Sequence, residues 1–390
     1  MVKELGGLPL ALEVIGSSLY RMEKSEWEET LKKLRDHVLD VPKVLKILKA
    51  SYDGLSYYEQ QIFLDIACFF NGMDKNTACL IWEQREFFPK KGINVLYQKS
   101  MVKIGNNNEL KMHDLLIDLG SWLGFFTMLA HQVQCQGTDQ VEGLCIDFRS
   151  SSSSQPYLTS EGFTKMTELR LLQDDYAEFA PDFVPSFSGL IWLRWKGCPR
   201  KFTLKKFHPV NLVVLDLSYS LITNYWMGWN HIKVAKNLKV LNLTGCRHLL
   251  KTPKLANWLL EVLILEKCEV LAKTDKSFNY LESLVRLNMR GCRYLRDLPY
   301  GIGGLENLVS LEKLILDNCR MERLQDLSNL RNLKHLNARK CRKLMEIQGL
   351  DHLESLETLD FGWCLSMERL PDLSNLRNSK HINARQYEKL

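Results

Sequence analysis

A multidomain α and α/β chain is what this sequence predicts: a helical segment and a winged-helix-like unit, then a solenoid of short parallel strands. Three observations carry that reading. Apolar residues recur at helical spacing through most of the first 120 positions, two strand patterns flank an Asn-rich turn at Asn106–Asn108, and a Leu-centred unit recurs at intervals of 22 to 27 residues through the second half. With 390 residues, 45% hydrophobic and 25% charged, the chain can build more than one core.

The opening stretch "GGLPLALEVIGSSL" reads as a helix, because Leu8, Leu12, Ile15 and Leu19 fall on one face. A secretory signal is excluded by Glu4 beside Lys3 and by Glu13 within the apolar run. "SEWEETLKKL" follows as a helix capped by Ser25 with Glu28 three residues on. "VPKVLKILKASYDGL" and "SYYEQQIFLDIACFF" give two more helices, the second capped by Ser56 with Glu59. "GINVLYQKSMVKIGNNNELKMHDLLIDLG" then supplies helix, strand, turn, strand and helix, the last with Asp114 as N-cap and His113 at the strand end. Helices followed by a two-stranded wing suggest a winged-helix unit. Lys and Arg do not cluster on any one helix, so nucleic acid is not an expected partner. The apolar run Ser121 to Ala130 is half of the ~20 residues a membrane span needs.

In the second half, "LIWLRWKGC", "LVVLDLSYS", "LKVLNLTGC", "LEVLILEKC", "LVRLNMRGC", "LEKLILDNC", "LKHLNARKC" and "LETLDFGWC" centre on Leu193, Leu215, Leu241, Leu263, Leu287, Leu314, Leu336 and Leu359. "MTELRLLQD", centred on Leu169, precedes them and "SKHINARQY", centred on Ile382, follows. This is the LxxLxLxxC core of a leucine-rich repeat. No unit buries its leucines alone, so neighbours must stack. Cys198, Cys246, Cys268, Cys292, Cys319, Cys341 and Cys364 should pack inside, as small thiols in a reducing compartment rather than as metal ligands or nucleophiles. Met321–Leu344 and Met367–Leu390 are identical at 18 of 24 positions, so the array ends in a duplication. Residues flanking the inward leucines face the concave side, and Trp192, Arg194, Arg286, Arg290, Lys313, His335 and Arg339 are the candidate partner-binding residues.

Charge divides unevenly. Residues 1–190 hold 19 Lys and Arg against 26 Asp and Glu, a net of −7, while residues 191–390 hold 33 against 20, a net of +13. The two halves should attract, with Arg286, Arg290 and Lys313 facing Asp65, Asp74, Glu83 and Glu86.

"GGLPLAL", "LKASYDGL", "QQIFLDIACFF" and "LKMHDLLIDLG" resemble successive motifs of the NB-ARC switch module of plant disease-resistance proteins, and "FLDIACFF" resembles the TIR-type subclass. "VEGLCIDF" and "FTKMTELRLL" resemble that subclass's junction into its repeats. The resemblance implies residues 1–43 as a helical ARC1-like segment, 44–120 as the winged-helix-like ARC2 domain, 121–160 as a junction and 161–390 as the solenoid. It implies that Gly7, Leu8, Pro9 and Leu10 form the loop against adenine and that His113 touches the β-phosphate of ADP. The sequence holds no GxxxxGK[ST] and no Gly-rich loop before Gly6. The expectation is therefore a truncated, non-catalytic member with weak ADP or ATP binding at best. Pathogen recognition and defence signalling in the cytoplasm or nucleo-cytoplasm would rest on a protein ligand held by the repeats, a pathogen effector or a guarded host protein. Two alternatives stay open: an F-box-like leucine-rich-repeat adaptor of a ubiquitin ligase, and a non-functional truncated paralogue.

Overall fold

The computed structural model describes residues 43–123, 128–129, 141–147, 157–158, 160–176, 178–179, 187–201, 206–298, 308–324, 326–367 and 375–385. It adds Ile302, Leu373 and five positions of the first helix: Leu10, Glu13, Val14, Gly16 and Ser17. The expected helix capped by Ser25, and Gly7, Leu8 and Pro9, lie outside them. The chain forms two compact units, Met1–Met128 and Leu129–Leu390.

In the first unit, α1 (Lys43–Asp53) leads through a short turn into α2 (Tyr57–Asp65). The Glu59 carboxylate accepts from the Ser56 amide at 2.9 Å, as the capping pattern predicts. The helix continues into one π-helical stretch, Ile66–Phe70, inside "FLDIACFF". There Trp82 Nε1 and the Arg85 guanidinium both donate to the Asp65 carboxylate, at 2.8 and 2.7 Å. Asp65 is 1% exposed, so a paired charge sits inside an otherwise apolar core.

An element the sequence reading passed over follows: α3 (Lys75–Gln84), capped by Asp74, whose side chain accepts from the Thr77 amide at 3.1 Å. Then come α4 (Pro89–Gln98), β1 (Lys103–Ile104), β2 (Leu110–Lys111) and α5 (Asp114–Leu123). The strands pair antiparallel, Lys103 opposite Lys111 and Ile104 opposite Leu110. Asn108 takes a left-handed φ of 65° in the turn, which Asn tolerates better than most residues.

The second unit is a ladder of short parallel strands in chain order: β3 (Gly143–Asp147), β4 (Leu171–Asp175), β5 (Trp192–Lys196), β6 (Val214–Asp216), β7 (Val240–Asn242), β8 (Val262–Ile264), β9 (Arg286–Asn288), β10 (Lys313–Ile315), β11 (His335–Asn337), β12 (Thr358–Asp360) and β13 (His381–Asn383). The central leucines stand in register from Leu193 to Leu359, and Ile382 continues the row at 45% exposed. The first unit is corrected by three residues. Leu172, not Leu169, pairs with Leu193, and Leu144 of "VEGLCIDF" pairs with Leu172. Leu169 is buried too, at 4%, but ahead of its strand. Two apolar positions at repeat spacing competed for one slot, and strand pairing decided.

The cysteines lie where the repeat predicts, buried and unbridged. Each thiol from Cys246 to Cys364 donates to a carbonyl of the preceding repeat. Cys246 reaches Leu217 O at 3.2 Å, Cys268 reaches Leu243 O at 3.1 Å, Cys292 reaches Leu265 O at 3.1 Å and Cys319 reaches Met289 O at 3.2 Å. Cys341 and Cys364 continue the series to Leu316 O and Ala338 O. Where the repeat has Ser220 instead, its hydroxyl accepts from the Cys198 amide at 3.0 Å and donates to Trp195 O at 3.4 Å.

The residue just before this position has positive φ in every repeat from Gly197 to Trp363. Gly197, Gly245 and Gly291 do so freely, whereas Tyr219, Lys267, Asn318, Lys340 and Trp363 do so at φ between 57° and 67°.

Candidate functional site

In the first unit, a cavity of about 310 Å³ is lined by Leu10, Glu13, Ser100, Met101, Lys103, Lys111, Met112 and His113. Two candidates from opposite ends of the unit, Leu10 and His113, therefore share one wall. The first helix is fastened there by Ser17 Oγ to Ser100 Oγ at 2.8 Å and Glu13 to Lys103 at 3.2 Å. Leu10, Met101 and Met112 are buried and present an apolar wall.

His113 itself caps α5. Its ring Nδ1 accepts from the Leu115 amide at 3.2 Å, and its carbonyl accepts from Leu116 and Ile117 at 2.8 and 3.1 Å. That corrects the reading of Asp114 as N-cap: Asp114 is the first helical residue, and the residue before it does the capping. Asx-type caps are common, but an imidazole nitrogen accepts an amide N–H equally well in geometry.

Tested against a nucleoside diphosphate, the cavity fits in part. Leu10, Met101 and Met112 could cover a base, and Lys111 and His113 could approach a phosphate. However, Lys103 pairs with Glu13 and Lys111 pairs with Glu109 at 2.8 Å, while the Glu13 carboxylate lines the cavity itself. Both cations are already offset by carboxylates, so the site is apolar on one side and close to neutral on the other.

In the second unit, the first residue of each core strand forms one row in register: Leu171, Trp192, Val214, Val240, Val262, Arg286, Lys313, His335, Thr358 and His381. The row is apolar as far as Val262 and polar from Arg286 onward. Trp192 falls in the apolar part, between Leu171 and Val214, and is 1% exposed. It is a core residue, which overturns its reading as a contact residue; neighbouring side chains on strands ~4.8 Å apart cover one another. Arg194 is held by the Asp175 carboxylate at 3.0 Å, with Asp175 fully buried. Arg286, Lys313 and His335 stand side by side and half-buried. Burial holds the His335 imidazole below its usual value, and its Nδ1 lies 3.2 Å from Thr358 Oγ1. At pH 7 it is a hydrogen-bonding group, not a cation.

Arg290 and Arg339 open onto a cavity of about 780 Å³ further along the same turns. Its walls add Arg247, Lys267, Arg293, Lys340 and Arg342, against the carboxylates Glu269, Asp317 and Asp360. Burial raises the Asp317 carboxyl above the usual range, offset by Arg290 at 4.0 Å and by the Arg339 amide, which donates to it at 3.1 Å. The sequence reading missed the five added cations. Arg247, Arg293 and Arg342 each directly follow a ladder cysteine, in "CRH", "CRY" and "CRK", and that periodic pair could have revealed them. Among the acidic candidates, Asp65 is taken by Arg85 in the core and Asp74 caps α3, which leaves Glu83 and Glu86 as the exposed carboxylates.

A helical unit with a two-stranded wing, joined in one chain to a leucine-rich solenoid, is the class of protein these two units define. Residues 56–123 match the family model described as the winged-helix domain of Roq1-like disease resistance proteins. The chain is 30% identical over 336 residues to disease resistance protein RML1A of Arabidopsis thaliana, covering 80% of this chain and 32% of the relative. It is 28% identical over 341 residues to TMV resistance protein N of Nicotiana glutinosa, covering 82% and 28%. Its homologues are plant disease resistance proteins, and it spans between 22% and 32% of the length of these relatives. A solved leucine-rich-repeat protein of Leptospira interrogans overlaps 63% of this chain and 72% of its own, at 19% identity and a TM-score of 0.36.

Proposed function

We propose that the chain is the winged-helix and repeat portion of an innate immune receptor, acting by recognition rather than catalysis. The observation that carries this reading is the basic groove around Arg290 and Arg339, built on repeats whose homologues are plant disease resistance proteins. The groove takes a protein ligand of opposite charge, a pathogen effector or a guarded host protein, in the cytoplasm or nucleo-cytoplasm. When no ligand is present, the same basic face restrains the winged-helix region through its exposed Glu83 and Glu86. The homology favours this reading over a ubiquitin-ligase adaptor. No described helix is long and apolar enough to cross a membrane.

A zero-length carboxyl-to-amine cross-linker on the full chain tests the restraint. Lys267, Lys313 or Lys340 should couple to Glu83 or Glu86 at low ionic strength and lose that coupling as salt is raised. Recovery of cross-links within each unit but none between these groups would dismiss it. In the first unit, the Leu10–His113 cavity binds ADP weakly and hydrolyses nothing. Submicromolar ADP affinity by calorimetry would overturn that.

A further inference from the structure

A second cavity, of about 820 Å³, lies on the turns that follow strands β5 to β8 and is distinct from the basic groove. The segment 223–229 shapes it. Trp226 is buried at 3% and stacks edge-on against Trp229 at 5.2 Å, and Trp229 meets Trp258 at 6.4 Å. Trp229 Nε1 donates to Thr223 O at 2.9 Å, which closes the segment on itself. Gly228 lies against the Trp226 ring so closely that a Cβ there would sit 2.2 Å from it, and only glycine permits that approach.

With Trp226 and Trp229 turned inward, Tyr225 and Met227, which flank Trp226, are turned outward, at 87% and 61% exposed. Leu250, from the next repeat, is 60% exposed and lines the same cavity. Three large apolar side chains are thus held in water by a Trp-anchored frame, an arrangement that lowers the ordering cost of binding. Around them stand Arg200, Lys201 and Arg247, with no carboxylate among the described lining residues and no ion-pair partner for these cations among the described residues.

We infer that this surface is a docking site for an acidic peptide segment bearing a bulky aromatic or aliphatic anchor. The anchor seats on Tyr225, Met227 and Leu250, and its flanking carboxylates meet Arg200, Lys201 and Arg247. The charge complementarity selects the occupant: a neutral apolar segment would leave three cations facing apolar surface, and a basic one would be repelled. The site is separate from the groove of the proposed ligand, which shares only Arg247 with it.

The test uses the full chain and a fluorescein-labelled peptide, Glu-Asp-Trp-Asp-Glu-Leu, read by anisotropy. Saturable binding should weaken about tenfold or more when Trp and Leu of the peptide become Ala, as for an interface anchor. It should weaken by about the same factor in the Tyr225→Ser/Leu250→Ser chain and in the Arg200→Glu/Lys201→Glu chain. Arg339→Glu, in the other groove, should leave it unchanged. All four positions of the double variants are exposed, and near-ultraviolet circular dichroism of the Trp cluster checks that each variant folds. Absent binding, equal binding of the Ala peptide, or loss only in Arg339→Glu would overturn the inference. So would capture of phosphatidylserine vesicles through the same residues without peptide binding.

Discussion

The ladder cysteines show how one atom decides a residue. A thiol is small enough for the turn out of each strand, and it also donates to a carbonyl that the solenoid buries. Burial pushes the Cys268, Cys319 and Cys364 thiols up to about 12 and raises Cys292 and Cys341 as well. Nucleophilic attack needs the thiolate. Iodoacetamide on the native chain at mildly alkaline pH should therefore spare the ladder and label half-buried Cys68 and Cys145 ahead of it, with mass spectrometry reading the order. Cys79, half-buried yet raised to about 11 by burial and Glu83, should also be slow. Labelling of Cys292 or Cys319 as fast as Cys145 would show that the ladder opens. Cys292→Ala should cost about 1 kcal/mol, because Leu265 O loses one of its two donors, keeping the Cys268 amide, and a small void remains. Cys292→Ser should cost less, since Ser220 fills the equivalent place in its own repeat. Urea denaturation of the two variants settles their order.

At the scale of elements, the pair inside the first unit is the sharper case. The Arg85 and Asp65 side chains are 8% and 2% exposed, and their contact sits at the start of the π-helical stretch. Removing one partner strands a buried charge, so Arg85→Ala should cost about 3–5 kcal/mol, whereas Arg85→Met with Asp65→Leu should cost much less. Equal losses in denaturation would mean that shape, not charge, is at stake. In the solenoid, Lys267 sits at φ 57° where neighbouring repeats have Gly245 and Gly291. Lys267→Gly should then cost nothing or gain up to about 1 kcal/mol, against the usual penalty for glycine. These elements also mark what the sequence made legible. Period and central leucines gave the strand ladder, and the Ser56–Glu59 and Asn108 signals gave α2 and the wing. The register of the first repeat was not readable, because Leu169 and Leu172 are both apolar and both buried. Nor was Trp192: position in the unit said concave, and only the identity of its lateral neighbours, Leu171 and Val214, put it in the core. In the candidate cavity, Leu10 and His113 were nameable, but the carboxylates that offset Lys103 and Lys111 belong to a geometry that no motif spells out.

At the scale of the whole molecule, the −7 of residues 1–190 and the +13 of residues 191–390 do not divide where the two compact units do. Met1–Met128 holds 16 Lys and Arg against 17 Asp and Glu, a net of −1, and Leu129–Leu390 holds 36 against 29, a net of +7, so any attraction must come from local groups such as Glu83 and Glu86. The solenoid holds one continuous apolar cluster from Val141 to Leu376, so a cavity in its middle should weaken the array as a unit. Leu287→Ala, fully buried at the centre of β9, should cost about 2–5 kcal/mol in the solenoid transition. Arg85→Ala should act on the winged-helix transition. Whether either change reaches the other transition depends on the charge contact proposed above. Exposed pairs contribute only about 0–1 kcal/mol each, so several must act together, and each weakens as the Debye length falls from ~10 Å at 0.1 M salt to ~3 Å at 1 M. The expected result is coupling at low salt, where Leu287→Ala lowers both transitions, and independence at high salt, where it lowers one. Glu83→Lys with Glu86→Lys should abolish the low-salt coupling without moving the high-salt values. Scanning calorimetry of these variants at the two salt concentrations decides it: transitions that stay independent at low salt, or stay coupled at high salt, mean that charge does not join the two units.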